Sequence, residues 1–176
     1  MKIGVISDTH IAELAAGLEF FRRLCSGPFA GVDVILHAGD IVHPDLLHCV
    51  TDKPIVGVRG NCDAADPALP EKRICEHSGY RIGLVHGWGG PAGLVANVID
   101  AFAGEQLDAV VFGHSHYPLC RQEGDLLLFN PGSATDRRDA PFHSVGILTL
   151  TERLAGQIIN LEVAGAPDTT YSGEFL

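Results

Sequence analysis

Two histidines one residue apart, His114 and His116, follow an apolar run from Ala109 to Phe112 and a single glycine. In extended backbone, residues i and i+2 leave the same face, so these two imidazoles can converge on one small volume. There they could share one metal ion or hold two neighbouring ones. The alternative is a pair of loop histidines with ordinary hydrogen bonds, because so short a motif also arises by chance.

Four other apolar runs end in the same way. Ile3 to Ser7 runs into Asp8 and His10, and Val34 to Leu36 runs through His37-Ala38-Gly39 into Asp40. Ile55 to Val58 runs through Arg59-Gly60 into Asn61, and Ile82 to Val85 runs into His86. Each run delivers an oxygen or nitrogen donor just past its carboxyl end, the edge at which ligands bind in open α/β sheets. Glycines beside the donors, Gly39, Gly60, Gly87 and Gly113, allow tight turns and close backbone approach.

Asp8, His10, Asp40, Asn61, His86, His114 and His116 supply carboxylate, carboxamide and imidazole, and no thiolate. Crowding them together without cations would leave buried charges and unmet polar groups costing several kcal/mol. Mixed oxygen and nitrogen ligation suits Mn, Fe, Co, Ni or Zn better than thiol-seeking ions or an all-oxygen calcium site. Seven side chains are too many for one catalytic metal with an open position. They suffice for two divalent ions if one carboxylate is shared.

The elements that must position these donors can be read from hydrophobic periodicity. Lys2 to Ser7 reads as a buried strand, and Ala12 to Leu24 as an amphipathic helix with Leu14, Leu18, Phe21 and Leu24 on one stripe. Val32 to His37 and Ile55 to Val58 are further strands, separated by a short helix from about Pro44 to Val50. This alternation calls for a parallel sheet with right-handed crossovers. Ala64 to Pro70 reads as an exposed connector. The second half is richer in hairpins: Arg73–His77 with Arg81–Val85, Leu119–Gln122 with Leu126–Phe129, and Ser144–Leu150 with Gln157–Glu162. A helix over 92–102 leads into the Ala109 strand. The expected fold class is α/β, with two packed mixed sheets and helices outside, and the tail over 164–176 is expected to be loosely held.

A chain of 176 residues suits one domain, 1–176, with 46% hydrophobic and 19% charged residues placing it in the globular class. Its 22 acidic against 12 basic side chains leave a net charge of -10, which argues against a surface built to neutralise nucleic-acid phosphates. Five dispersed cysteines without a Cys-x-x-Cys pair suggest neither a disulfide framework nor a zinc knuckle, and point to a reducing cytoplasm. The apolar start is too short for a signal peptide and no apolar stretch reaches membrane-spanning length, so no membrane partner is expected. A homo-oligomer is compatible with the sequence.

Taken in order, Asp8-x-His10, Gly39-Asp40, Gly60-Asn61, His86 and Gly113-His114-x-His116 resemble the motif set of the calcineurin-like metallophosphoesterases. Cys62-Asp63 and Asn130-Pro131-Gly132-Ser133 resemble its small single-domain phosphodiesterase branch, which is related in fold to the retromer scaffold subunit. The resemblance spans Met1 to about Ser133. It implies a four-layer αββα sandwich. It also implies one metal held by Asp8, His10, Asp40 and His116, a second by Asp40, Asn61, His86 and His114, and Asp40 as the bridge. Mn2+ is the first choice, with Fe, Zn, Ni or Co as others.

The activity so implied is hydrolysis of small or activated phosphodiesters by a hydroxide bridging two metals. Alternatives are a phosphomonoesterase or nucleotidase, and a non-catalytic protein-binding scaffold on the same fold. Asn61 and Asp63 are the candidates beyond simple ligation. Asn61 would coordinate through its carbonyl oxygen while its NH2 faces a phosphoryl oxygen. Asp63 would orient a ligand from behind, or else serve as a plain turn carboxylate.

Two departures from the family pattern stand out. Cys62 occupies a position where many members carry histidine, and a thiol of pKa about 8.5 is a poor proton donor to a leaving group. Trp88 stands where several relatives have a second histidine, as an aromatic surface of the cleft or as packing under a glycine-rich loop. His37 reads as a core or supporting histidine, and His43, His48, His77 and His143 as surface or packing residues. Asn130–Ser133 would line the site or form a structural turn, and Arg137 and Arg138 would meet a substrate phosphate or solvent.

Overall fold

Strands β1 (Lys2–Ile6), β2 (Val34–His37), β6 (Ala109–Val111) and β8 (Leu126–Asn130) alternate between two dry faces, and this decides the architecture. In a computed structural model, which describes residues 1–48 and 53–163, Ile3, Val5, Val34, Leu36, Ala109, Val111, Leu127 and Phe129 share one cluster between two sheets. The residues between them point the other way: Ile35 joins a second cluster with Phe21, Leu24 and Phe29, while Val110 and Leu128 join a third with Leu94 and Val98. Burial on both faces explains why these strands read as continuous apolar runs. Each fully buried Phe or Leu contributes roughly 1.5–3 kcal/mol.

The first sheet has the order β10-β9-β1-β2-β3, where β3 is Ile55–Gly57, β9 Ser144–Leu150 and β10 Leu154–Asn160. The second has the order β4-β5-β6-β8-β7, with β4 Lys72–His77, β5 Tyr80–Val85 and β7 Leu119–Glu123. Helix α1 (Leu14–Ser26) covers the outer face of the first sheet and α2 (Pro91–Asp100) that of the second, giving the four-layer αββα sandwich. Both sheets are mixed. β1, β2 and β3 run parallel with Ile6, His37 and Gly57 in register, and β5, β6 and β8 run parallel in the other sheet.

Several boundaries differ from expectation, for local reasons. The short helix after β2 is a 3-10 turn over Pro44–Leu47, and the expected end at Val50 lies outside the described residues, as does the tail over 164–176. Leu18 is 38% exposed, so the buried stripe of α1 is Gly17, Phe21 and Leu24. The connector over 64–70 is not wholly exposed, because Leu69 plugs the cluster beside Leu46. The last hairpin has its second strand at Leu154–Asn160, three residues earlier than expected. Its first strand, β9, pairs antiparallel with β1, which makes β10 an edge of the N-terminal sheet. No helix among the described residues is long and apolar enough to cross a membrane.

Candidate metal centre

Parallel strands bring their carboxyl ends to one edge, and the loops that follow carry the donors. β1 leads to Asp8 and His10, β2 to Asp40, β3 to Asn61, β5 to His86, and β6 to His114 and His116. Backbone hydrogen bonds knit these loops together: Asp8 N–H donates to the Gly39 carbonyl at 2.9 Å, His10 N–H to Asp40 at 3.0 Å, and Gly113 N–H to His86 at 3.0 Å.

All seven side chains reach one pocket. His116 Nε2 lies 3.4 Å from Asp8 Oδ1 and 3.2 Å from His10 Nε2. Asp40 Oδ2 faces His10 Nε2 at 3.7 Å and His86 Nε2 at 3.5 Å. Asn61 Oδ1 sits 3.1 Å from His86 Nε2 and 3.0 Å from His114 Nδ1. Asp8, Asp40, His86 and His116 are buried, whereas His10 and His114 are half-buried and Asn61 is exposed.

The backbone is bent to achieve this. Asp8, His10, Asp40, His114 and His116 all have positive φ, between 47° and 70°, a left-handed conformation costing roughly 1–3 kcal/mol per non-glycine residue. Five of the seven donors thus sit in a conformation that the structure around them must stabilise. Close approach demands two of the glycines. A Cβ on Gly60 would fall 2.1 Å from Asp40 Oδ1, and one on Gly113 would fall 2.6 Å from Asp8 Oδ2.

Asp63 is the clasp of this arrangement. Its Oδ2 accepts the backbone N–H groups of Asp40 (2.9 Å) and Gly60 (2.8 Å), and its Oδ1 those of Ile41 (2.8 Å) and Val42 (2.7 Å). Its two oxygens are therefore directed at the backbone of the loops after β2 and β3 rather than at the pocket. Behind Asp8, Ser133 Oγ donates to the Asp8 carbonyl at 2.8 Å, and Asn130 Nδ2 donates to the Gly113 carbonyl at 2.8 Å. The Asn-Pro-Gly-Ser stretch thus supports the donors from beneath. Ser7, Thr9 and Thr135 were not singled out in the sequence. Ser7 Oγ donates to Asp8 Oδ2, and Thr135 Oγ1 to the Thr9 carbonyl at 2.7 Å. No spacing rule marks them, because their partners lie across the fold.

Hydrogen bonds also fix which nitrogen of each imidazole points inward. His86 Nδ1–H donates to the Ala38 carbonyl at 2.8 Å, and His116 Nδ1–H to the Asp136 carbonyl. His114 Nε2–H donates to the Gly89 carbonyl at 3.1 Å. Each ring therefore turns a lone pair into the pocket, the arrangement in which an outer carbonyl sets the ligating tautomer. Burial lowers the proton affinity of His86 and His116, which favours their neutral forms.

The carboxylates follow the same logic. Burial, offset in part by the Ser7 hydroxyl and reinforced by the nearby Asp40, pushes Asp8 up to about 7. Burial would also raise Asp40, but His86, the Cys62 amide and thiol, and His10 together hold it below the usual range. Two buried carboxylates, one of them reluctant to ionise without a positive charge beside it, and several inward lone pairs fit a bound cation. Asp8, His10 and His116 form one such group of donors, and Asp8, Asp40 and His86 another, with all donor atoms within 4.8 Å of one another in each. Cys62, exposed beside Asp40, completes a third group with His10 and Asp40, so a thiol lies at the pocket after all. Burial, then its bond to Asp40, pushes that thiol up.

Of the other singled-out residues, His37 is buried in β2. The Thr9 hydroxyl donates to the Asp40 carbonyl at 3.4 Å and lies 3.0 Å from His37 Nε2. Nε2 then carries the proton, and Nδ1 is a lone pair without a hydrogen-bond partner among the described residues. His143 pairs with Glu162 at 2.9 Å on the surface. Arg138 is exposed, 3.7 Å from Asp136, and its charge favours the ionised forms of Asp8 and Cys62.

Comparison with known proteins agrees with this geometry. Residues 1–153 match the Calcineurin-like phosphoesterase superfamily domain. The chain is 38% identical over 173 residues to a protein of Methanothermobacter thermautotrophicus named "Probable metallophosphoesterase", with 95% of each chain covered. It is 33% identical over 103 residues to phosphodiesterase YfcE of Escherichia coli, covering 53% of this chain and 52% of that protein. Among solved structures, Vps29 of Entamoeba histolytica complexed with Zn2+ superposes with a TM-score of 0.68 at 25% identity, over 94% of this chain and 95% of that one. The chain is a metallophosphoesterase and belongs to the calcineurin-like phosphoesterase superfamily.

Proposed function

We propose that this protein hydrolyses small or activated phosphodiesters with two divalent ions, Mn2+ first among Mn, Fe, Zn, Ni and Co. Asp8, His10, Asp40 and His116 would hold one ion, and Asp40, Asn61, His86 and His114 the other. The observation that carries this reading is Asp40 Oδ2, which faces an imidazole of each group at 3.7 Å and 3.5 Å. When bound, such a pair lowers the pKa of a shared water and offsets the charge of the phosphoryl group.

The chain's own residues supply the rest. Asn61 turns Oδ1 toward His86 and His114 while its NH2 donates one hydrogen to Cys62 Sγ at 3.3 Å, which leaves the other N–H to donate to a phosphoryl oxygen as negative charge grows there. Asp63 positions Asp40 by holding its loop and does not touch substrate. Cys62 stands where a proton donor to the leaving group would be useful. With its thiol pushed up, it gives a departing alkoxide little help.

Purified protein should contain transition metal and should hydrolyse bis-p-nitrophenyl phosphate when loaded with ions from this set. Asp40→Asn should lose both metal and at least about a hundredfold in kcat, as expected when a reacting group is displaced. Protein that takes up no transition ion would refute the reading. Protein that binds metal but turns over no ester would favour the second one, a protein-binding scaffold, for which the likeness to Vps29 speaks.

A further inference from the structure

A cleft of about 380 Å3 opens from the candidate metal centre, sharing Asn61 and His86 with it. This lies near the lower end of the roughly 300–1,000 Å3 usual for small-molecule sites. Its walls combine three chemistries. Val85 and Ala101 are apolar, Arg59 and Lys72 are donors, and Trp88 adds a large aromatic face.

Trp88 is the chain's one tryptophan, and it is 50% exposed. Its ring belongs to none of the three apolar clusters. Yet its backbone is held at two successive carbonyls, because Asn97 Nδ2 donates to the Trp88 carbonyl at 2.8 Å and His114 Nε2 to the Gly89 carbonyl at 3.1 Å. A ring left half in water on a held backbone is a stacking surface kept ready. A second concavity, beside His10, is lined by Glu13 and Asp136 and by neither Lys nor Arg, whereas the Trp88 cleft sets Arg59 and Lys72 against one carboxylate, Glu71. An electron-rich substituent is therefore directed to the Trp88 side.

We propose that this cleft is a nucleobase subsite, with the base stacked on Trp88 and its carbonyl or ring-nitrogen edge facing Arg59 and Lys72, so that the substrates are nucleotide esters. The inference rests on the phosphodiesterase reading and narrows its substrate class. A plain aryl group would use the aromatic face but offer no acceptor to Arg59, or to Lys72, whose ammonium donates to the Ala101 carbonyl and has further N–H groups to give. Arg59 holds Glu71 at 2.5 Å, but Glu71 is 81% exposed at its side chain, so that pair is weak and can yield to a ligand.

The test is binding, independent of turnover. Titration calorimetry on the Zn2+-loaded protein compares adenosine 5′-monophosphate with ribose 5-phosphate, which lacks only the base. The nucleotide should bind about fivefold tighter or more, the lower end of what one base–aromatic stack contributes. That preference should vanish in Trp88→Ala, persist in part in Trp88→Phe, and fall in Arg59→Ala. Nucleotide should also change the tryptophan fluorescence saturably, while ribose 5-phosphate should not. Equal affinity for the two ligands, or a preference that survives Trp88→Ala, overturns the proposal. A nucleotide preference in a protein that hydrolyses no ester would instead refute the hydrolase reading and leave the subsite standing.

Discussion

Substituting Asp63 should loosen the loop that carries Asp40, and the cost can be worked from its contacts. The carboxylate accepts four backbone N–H groups at 2.7–2.9 Å. A hydrogen bond to a charged group contributes about 1.5–3 kcal/mol, so four would sum to roughly 6–12 kcal/mol if independent. They are not independent, and Asp63 is half-buried, so water can replace part of what is lost. Halving the sum leaves roughly 3–6 kcal/mol for Asp63→Ala, against a total stability of about 5–15 kcal/mol for a typical domain. Asp63→Asn is the sharper test. Its amide oxygen can serve two of the four donors, but its NH2 would point at the other two, a loss of roughly 2–4 kcal/mol. Urea unfolding in the presence of a chelator reads the effect on the fold alone, with an unchanged m-value expected. Hydrogen exchange should quicken at the amides of Asp40, Ile41, Val42 and Gly60 before it quickens in the core strands. An Asp63→Asn protein within about 0.5 kcal/mol of the parent, with those amides still protected, would refute the reasoning.

Three further outcomes follow from the geometry. Gly60→Ala should displace Asp40, since the new Cβ would fall 2.3 Å from its backbone nitrogen. Metal content and kcat should drop by about a hundredfold or more, and normal loading would show that the loop can give way. His37 is pushed down to about 3, chiefly by burial and then by the neighbouring His86 ring. The unfolded chain therefore takes up a proton below its ordinary value near 6.5 while the folded one does not, and stability is lost as pH falls between those limits. His37→Gln should flatten that limb by about 1.4 kcal/mol per pH unit in unfolding titrations, and an unaltered slope would show the burial argument wrong. With Cys62 as the proton donor, p-nitrophenyl diesters should be cleaved much faster than simple alkyl diesters; equal rates would mean that another group protonates the leaving oxygen.

The donors were legible because each sits just past an apolar run, and parallel strands bring such ends together whatever the details of the loops. The layers were legible too, since strands such as Ile3–Ile6 and Ala109–Val111 are apolar on both faces and need cover on each. The partner of the final hairpin was not. Pairing of Lys2 with Thr149 depends on contacts distant in the chain, and no local pattern chooses between the two sheets. The clasp by Asp63 was half visible: its place beside Gly60-Asn61 marked it, but three backbone donors from another loop leave no trace in side-chain types. Ser133 posed the same difficulty, since only the folded chain reveals that its hydroxyl reaches the Asp8 carbonyl. Leu18 misled because a helical stripe predicts a side and not how far the neighbouring sheet extends beneath it.

The distance along the polypeptide between Asp8 and its support bears on when this protein can come to life. The Ser133 hydroxyl that steadies Asp8 is made 125 residues later. At the roughly 5–20 residues per second of translation, that interval lasts about 6–25 s. During it the nascent N-terminus carries its first two donors without the strand or the hydroxyl that bend them into place. Any ion that this pocket takes up would therefore find the Asp8 end of it complete only once Ser133 has been made and folded back against it.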